Sequence, residues 1–141
     1  MKRKLQKIEI EKYLNDLDQN FIPQLSTLVN IQDYSNKLAE HAEHFCLYHN
    51  NSLIGFVAMY CNNDESKIAF ISSVSIRPDY TGKGLAKNLL GEALQYAKKK
   101  KFQKIQLEVG VNNKSAIGLY KSLGFEIENS DDKVNLMTLK I

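Results

Sequence analysis

Ile10, Leu14, Leu17 and Phe21 recur three or four residues apart, the period of a helix with one apolar stripe. Pro23 interrupts that segment, and Asp33 is the expected cap of a further helix running to about residue 43. From residue 44 the pattern changes to short, strongly apolar runs. Residues 44–49 and 53–61 read as a hairpin turning at Asn50-Asn51-Ser52, and Asn62-Asn63-Asp64 turns the chain into a strand over residues 67–76. Pro78 ends that strand, and helical spacing returns with Leu85, Leu89, Ala93 and Ala97, flanked by Leu90 and Leu94. Alternation over 104–109 predicts a strand, and 114–123 a short helix closed by Gly124 where a left-handed residue is wanted. Strands over 125–128 and 134–139 complete the chain. Helices, then antiparallel hairpins, then strand–helix–strand–helix–strand imply an α/β protein with a mixed sheet and helices packed on it.

Composition changes this picture little. The 141 residues are 43% hydrophobic and 25% charged, as in an ordinary globular domain. With no repeat, low-complexity tract or Pro/Gly-rich linker, one domain spanning 1–141 is expected. The longest apolar runs, such as residues 53–60, are too short to cross a bilayer. The basic start, Met1-Lys-Arg-Lys4, is not followed by an apolar leader segment, so a cytoplasmic location without membrane contact is expected. Cys46 and Cys61 lie in hairpin strands without metal-ligand spacing and read as small core residues. His41 and His44 lack a third ligand nearby, so no metal is expected.

Charge is distributed unevenly. The net charge is +3, yet residues 2–4 and 98–101 alone contribute seven Lys and Arg and no acid. The remainder therefore carries −4. The run Lys98-Lys-Lys-Lys101 falls where a helix ends, where cations complement the helix dipole. Basic residues spread over a face with aromatics among them are missing, so no nucleic-acid partner is expected.

The candidate chemistry begins at Ile76-Arg-Pro-Asp-Tyr-Thr-Gly-Lys-Gly-Leu-Ala86, which joins a strand to a helix. Gly82 and Gly84 permit positive φ and close approach of a ligand to the backbone. The first N–H groups of the helix lack partners and sit at its positive end, so the turn suits a phosphate or pyrophosphate, with Lys83 adding charge. A tight turn without a ligand would need the same glycines. The spacing is neither that of a Walker loop nor that of the three-glycine dinucleotide fingerprint.

About thirty residues on lies Asn113-Lys-Ser-Ala116-Ile-Gly-Leu119-Tyr120-Lys-Ser-Leu-Gly124-Phe125. Together with Thr81-Gly-Lys-Gly84-Leu-Ala86, it resembles the two signatures of the GNAT superfamily of N-acetyltransferases, Arg/Gln-x-x-Gly-x-Gly/Ala and Asn-x-x-Ala-x-x-Leu-Tyr-x-x-x-Gly-Phe. The likeness covers roughly residues 66–126. Thr81 departs from it, standing where the family prefers Arg or Gln. The helical first third departs too, because the family usually opens with a strand that this sequence does not show.

The resemblance implies a central, mostly antiparallel mixed sheet flanked by helices. It also implies direct acetyl transfer from acetyl-CoA to a small amine such as an amino sugar or polyamine. A protein N-terminal amine and a non-catalytic acyl-CoA sensor are the alternatives. Acetyl-CoA would lie between the strand ending at Ile76 and the strand over 104–109. Its pantetheine would run along Val74, Ser75 and Ile76, and its pyrophosphate would sit on Thr81, Gly82, Lys83, Gly84, Leu85 and Ala86. Asn113 would touch the cofactor, cap the helix, or do both. Glu108, in a Leu-Glu-Val context like that of N-terminal amine acetyltransferases, is the candidate base or else a surface glutamate. Tyr120 is the candidate acid for the thiolate; taken locally, Ile117, Tyr120 and Leu123 could be a core stripe. An N–H near Val74 could hold the thioester oxygen. Oligomeric state is not legible.

Overall fold

The stripe at Ile10, Leu14 and Leu17 folds as helix α1 (Lys7–Leu17), burying those three with Tyr13. The structure, a computed structural model, describes residues 4–141; Lys2 and Arg3 of the basic run lie outside the described residues. Helix α2 (Ile31–His41) buries Ile31, Ser35 and Leu38. Its cap is Asn30, whose Oδ1 accepts the Asp33 N–H at 2.9 Å. Asp33, expected as the cap, instead places its carboxylate in the first turn, where the helix dipole favours it.

Strands β1 (Glu43–His49) and β2 (Ser52–Tyr60) form the expected hairpin. Asn50 and Asn51 carry it with φ of 49° and 64°. That is the left-handed pair a two-residue hairpin turn requires and asparagine tolerates, so Ser52 already belongs to β2. Then follow β3 (Ile68–Ile76), α3 (Leu85–Lys99), β4 (Lys104–Gly110), α4 (Lys114–Ser122), β5 (Glu126–Ser130) and β6 (Val134–Lys140). The six strands order as β1-β2-β3-β4-β6-β5. Only β3 and β4 are parallel, because α3 is the crossover that returns the chain to the same end of the sheet. No strand precedes β1 among the described residues.

The sheet has an apolar layer on each face. On one, Leu89, Leu90, Ala93 and Ala97 of α3 pack on Phe45, Val57, Met59, Ile71, Ile105 and Leu107, with Tyr120 and Phe125 alongside. On the other, α1 and α2 cover Cys46, Leu53, Phe56 and Ala58. Because β2 is covered on both sides, Leu53 through Met59 are all buried, which explains its unbroken apolar run. Each fully buried large side chain contributes about 1.5–3 kcal/mol. His44, only 1% exposed, clasps the α1–α2 layer: Nδ1 accepts the Leu5 N–H at 2.9 Å, and Nε2 donates to the Leu38 carbonyl at 2.7 Å. It is a structural residue. No group that could hold a metal ion occurs among the described residues, and none of their helices is long and apolar enough to cross a membrane.

Candidate active site

The site begins where two neighbouring strands part. Pairing between β3 and β4 runs from Ile68 opposite Lys104 to Ile71 opposite Leu107 and stops. A β-bulge lies at the same point: Met59 opposes Ile71 while Ala58 opposes Ser73, leaving Ser72 as the extra residue. A bulge bends its strand and adds local twist. It also shifts the alternation by one, so Ile71, Val74 and Ile76 all pack toward α3. Meanwhile β4 stays paired with β6 through Gly110. Residues 72–76 and 108–110 thus wall a wedge in the sheet.

The backbone lining that wedge has unused hydrogen-bonding groups. The Arg77 N–H donates to the Ile54 carbonyl at 2.7 Å, fixing which residues of β3 turn toward β2. Alternation then points the N–H and C=O of Val74 and Ile76 away from β2, toward the side β4 has vacated. Val74, Ser75 and Ile76 are half-buried, whereas the earlier part of β3 alternates cleanly. Ser75 turns the other way. Its carbonyl and Oγ meet the Tyr13 hydroxyl at 3.3 and 3.0 Å, so it presents neither to the wedge.

At the end of β3, a short 3-10 turn (Pro78–Tyr80) leads into the glycines. Thr81 is committed to this turn: its N–H (3.3 Å) and its hydroxyl (2.9 Å) both donate to the Pro78 carbonyl. The Thr81 N–H is therefore not open to a ligand here, unlike the amides that follow. Gly82 and Gly84 have φ of 77° and 76°, and a Cβ on either would meet nothing within 4 Å. Their need for glycine is conformational rather than spatial. The first bond of α3 runs from the Asn88 N–H to the Gly84 carbonyl at 3.2 Å, and no side chain caps the helix. The N–H groups of Leu85, Ala86 and Lys87 thus lack helical partners at the positive end, with Lys83 and Lys87 exposed beside them.

Helix α4 carries the second cluster into the core on the α3 side of the sheet. Asn113 caps it, its Oδ1 accepting the Ala116 N–H at 3.3 Å. At the other end, the Phe125 N–H donates to the Tyr120 carbonyl (3.1 Å) and the Gly124 N–H to that of Lys121 (3.0 Å). With Gly124 at φ 101°, this is a Schellman closure, which accounts for the spacing from Tyr120 to Gly124 and Phe125. Tyr120 is 7% exposed, packs edge-on to Phe125 at 6.0 Å and shares the α3-side core with Leu107 and Val109. Burial pushes its phenol up to about 12. Glu108 is exposed on β4 between Leu107 and Val109, so it faces the α1–α2 side. Tyr120 and Glu108 thus lie on opposite faces of the sheet.

Three residues brace the end of β3: Tyr34, which the sequence offers as a possible lining residue of the acceptor site or as aromatic packing, and Tyr13 and Arg77, to which it assigns no role. The Tyr34 hydroxyl donates to the Ser72 carbonyl at 3.0 Å and bonds the Ser72 hydroxyl; Tyr13 does likewise at Ser75. Arg77 donates to the Leu53 carbonyl (2.7 Å) and to Asp16 (3.3 Å), its guanidinium 5.0 Å from the Tyr13 ring centre. One signal could have found them: three serines, at 72, 73 and 75, interrupt an otherwise apolar strand and need polar partners.

Similarity to known proteins agrees with this geometry. An uncharacterised N-acetyltransferase of Methanocaldococcus jannaschii is 41% identical over 81 residues, covering 55% of this chain and 36% of the relative. The [ribosomal protein bS18]-alanine N-acetyltransferase of Haemophilus influenzae is 37% identical over 90 residues, covering 64% and 59%. In each case the match spans under two thirds of the relative's length. Among solved structures, the ribosomal-protein-S18-alanine N-acetyltransferase from Escherichia coli superposes with a TM-score of 0.81 at 21% identity, covering 100% of this chain and 93% of that one. The PaiA N-acetyltransferase from Thermoplasma acidophilum, in complex with coenzyme A, gives 0.77 at 20% identity, covering 100% and 98%. These share the fold. Residues 8–125 match the family model itself, and the chain belongs to the acetyltransferase (GNAT) family.

Proposed function

We propose that this chain acts as a single domain that moves the acetyl group of acetyl-CoA directly to a primary amine. The observation that carries it is the wedge: free main-chain groups of Val74 and Ile76 on one wall, followed by the uncapped helix amides of α3, with Tyr120 in the core on the α3 side of the sheet. The amides of Leu85 and Ala86, reached across Gly82 and Gly84, hold the pyrophosphate, with Lys83 adding charge. Val74 and Ile76 bind the pantetheine amides as an added strand would.

Glu108 takes a proton from the acceptor ammonium through water, because an alkyl amine is charged at neutral pH. The amine nitrogen then bonds to the thioester carbon while the Val74 N–H stabilises the oxygen. The carbon–sulfur bond breaks, and Tyr120 gives its proton to the departing thiolate. Asn113 holds the start of α4, and so Tyr120, in place. The products are an N-acetyl amine and coenzyme A, with no acetyl-enzyme between them.

For the acceptor, the similarity to bS18-alanine N-acetyltransferases puts the α-amine of a polypeptide ahead of a small amine. The Leu-Glu-Val around Glu108 supports the same choice. An amino sugar or polyamine is the second reading, favoured by the acidic balance outside the two basic runs. The test is thiol release from acetyl-CoA across peptides with free α-amines, amino sugars and polyamines. Turnover with peptides is expected to be highest. Turnover confined to small amines would reverse the choice of acceptor, and none with any amine would overturn the activity.

A further inference from the structure

The lysine run at 98–101, taken along the sequence, ends a helix and points to no nucleic-acid partner. The fold changes that reading by adding charges from three other segments. Lys104 opens β4 level with Ile68 of β3 and directly opposite Lys140 of β6. The Lys67 carbonyl accepts the N–H groups of Gln103 (2.8 Å) and Lys104 (3.3 Å). Seven lysines therefore gather where α3 and β6 end and β3 and β4 begin. Asp64 and Glu65 precede Lys67, and Glu126 and Glu128 share a groove with Lys104 and Lys140. None of these acids forms an ion pair with a lysine of the cluster among the described residues. Setting the seven aside with residues 2–4 leaves nine Lys and Arg against sixteen Asp and Glu, a balance of −7. The molecule is polarised, with its positive end here.

Several of these lysines are held at a cost. Lys101 and Lys67 have φ of 67° and 56°, in the left-handed region. Lys101 closes α3 as Gly124 closes α4: the Phe102 N–H donates to the Ala97 carbonyl and the Lys101 N–H to that of Lys98, each at 3.0 Å. Glycine would occupy both positions without strain. Lys104 and Lys140 are like charges directly opposite one another, which weakens a sheet. The helix dipole accounts for Lys98 and Lys99 in the last turn of α3, and its reach ends there. Charge kept against local stability at four positions calls for a partner carrying many negative charges.

The surroundings narrow that partner. Lys67, Lys104 and Lys140 stand on or beside adjacent strands at steps of about 4.8 Å, a row that suits a chain of phosphates better than one small anion. The Lys67 and Lys100 ammonium groups lie 5.9 and 5.7 Å from the ring centres of Phe102 and Tyr96, so neither ring is open for an unpaired base to stack on. Phe102 is buried, so it offers no apolar anchor for a bilayer. Lysine meets phosphate as a point charge, which reads no sequence.

We propose that this lysine end binds the phosphodiester backbone of a nucleic-acid duplex irrespective of its sequence. The inference goes beyond the acetyltransfer reading and does not depend on it. Helix α3 has fifteen residues, about 22 Å, and the glycine turn lies at its other end, so a duplex held here leaves the wedge open.

The experiment follows the anisotropy of short labelled RNA and DNA duplexes titrated with the full chain, with and without coenzyme A, beside a titration with phosphatidylserine vesicles. Binding is expected at low ionic strength and should fall with salt at a log–log slope of about −4, four or five phosphates neutralised. Binding of either duplex supports the proposal, and the tighter one names the source. Lys67→Gly and Lys101→Gly should each reduce the slope by about one while raising the melting temperature, because they relieve strain. Lys104→Gln with Lys140→Gln should reduce it by about two. Absence of binding, or a slope that no variant changes, overturns the proposal. Competition by coenzyme A overturns it by placing the duplex at the glycine turn, and tighter binding to the vesicles overturns it in favour of a membrane. A lower melting temperature for both glycine variants gives these lysines a structural role and also overturns it. Binding is read without turnover, so its failure and that of acetyl transfer are distinct.

Discussion

On the α3–α4 face the candidate site is made of main chain held by local rules; on the α1–α2 face it is made of side chains that reach across the fold. The glycine turn, the bare start of α3 and the closure of α4 each involve residues within a few positions of one another. Tyr13 meets Ser75 sixty-two positions away, and Tyr34 meets Ser72 across thirty-eight. The first face is suited to a ligand whose phosphates and amides do not vary. The second can be rewritten one side chain at a time, which is where selectivity for an acceptor belongs.

Removing the acid from the invariant side should cost most. Tyr120→Phe is expected to lower kcat about a thousandfold, within the range for lost general acid catalysis, while a calorimetric titration finds coenzyme A bound nearly as before. An unchanged rate would return Tyr120 to the core alone. Burial also fixes the sign of its pH dependence: with its phenol at about 12, Tyr120 stays protonated above its ordinary value, so it should impose no alkaline fall in kcat below about pH 11.

Glu108→Gln probes the other face and should cost roughly a hundredfold near pH 7. The deficit should shrink as pH rises and the amine deprotonates unaided, near pH 8 for an α-amine and near 10 for an alkyl amine. A pH–rate profile of the variant thus reports the acceptor class independently. A deficit constant with pH would mean that Glu108 binds rather than deprotonates.

Gly84→Ala tests whether the turn works through its backbone. Holding a Cβ at φ 76° costs about 1–2 kcal/mol, and relaxing it would re-aim the first helix amides. Affinity for coenzyme A is expected to fall about tenfold in calorimetry; equal affinity would detach the turn from the cofactor. The smallest effect should come from Tyr13→Phe, which loses the hydroxyl's two contacts at Ser75. It should lower stability by about 1 kcal/mol in denaturant and leave turnover nearly unchanged.

How much was legible in the sequence follows the same division. The stripes of α1 and α3, the Asn50-Asn51 turn, the positive-φ glycines and the spacing from Tyr120 to Phe125 are consequences of local geometry, so residue order determines them. Family membership followed from two such local segments in the right order. Asn30 rather than Asp33 as the cap of α2 was a near miss of the same local kind.

Only the tertiary structure decided where β3 leaves β4, because a bulge depends on what the neighbouring strand opposes and not on the bulged residues themselves. That one extra residue turned Ser75 away from the wedge and set Ser73 beside Tyr60 and Tyr34. It also left Val74 and Ile76 with free amides. Which face a side chain takes in a sheet is fixed by register, and register is a long-range property. The chain order named the parts of this site, and the pairing of distant strands chose which of them look inward.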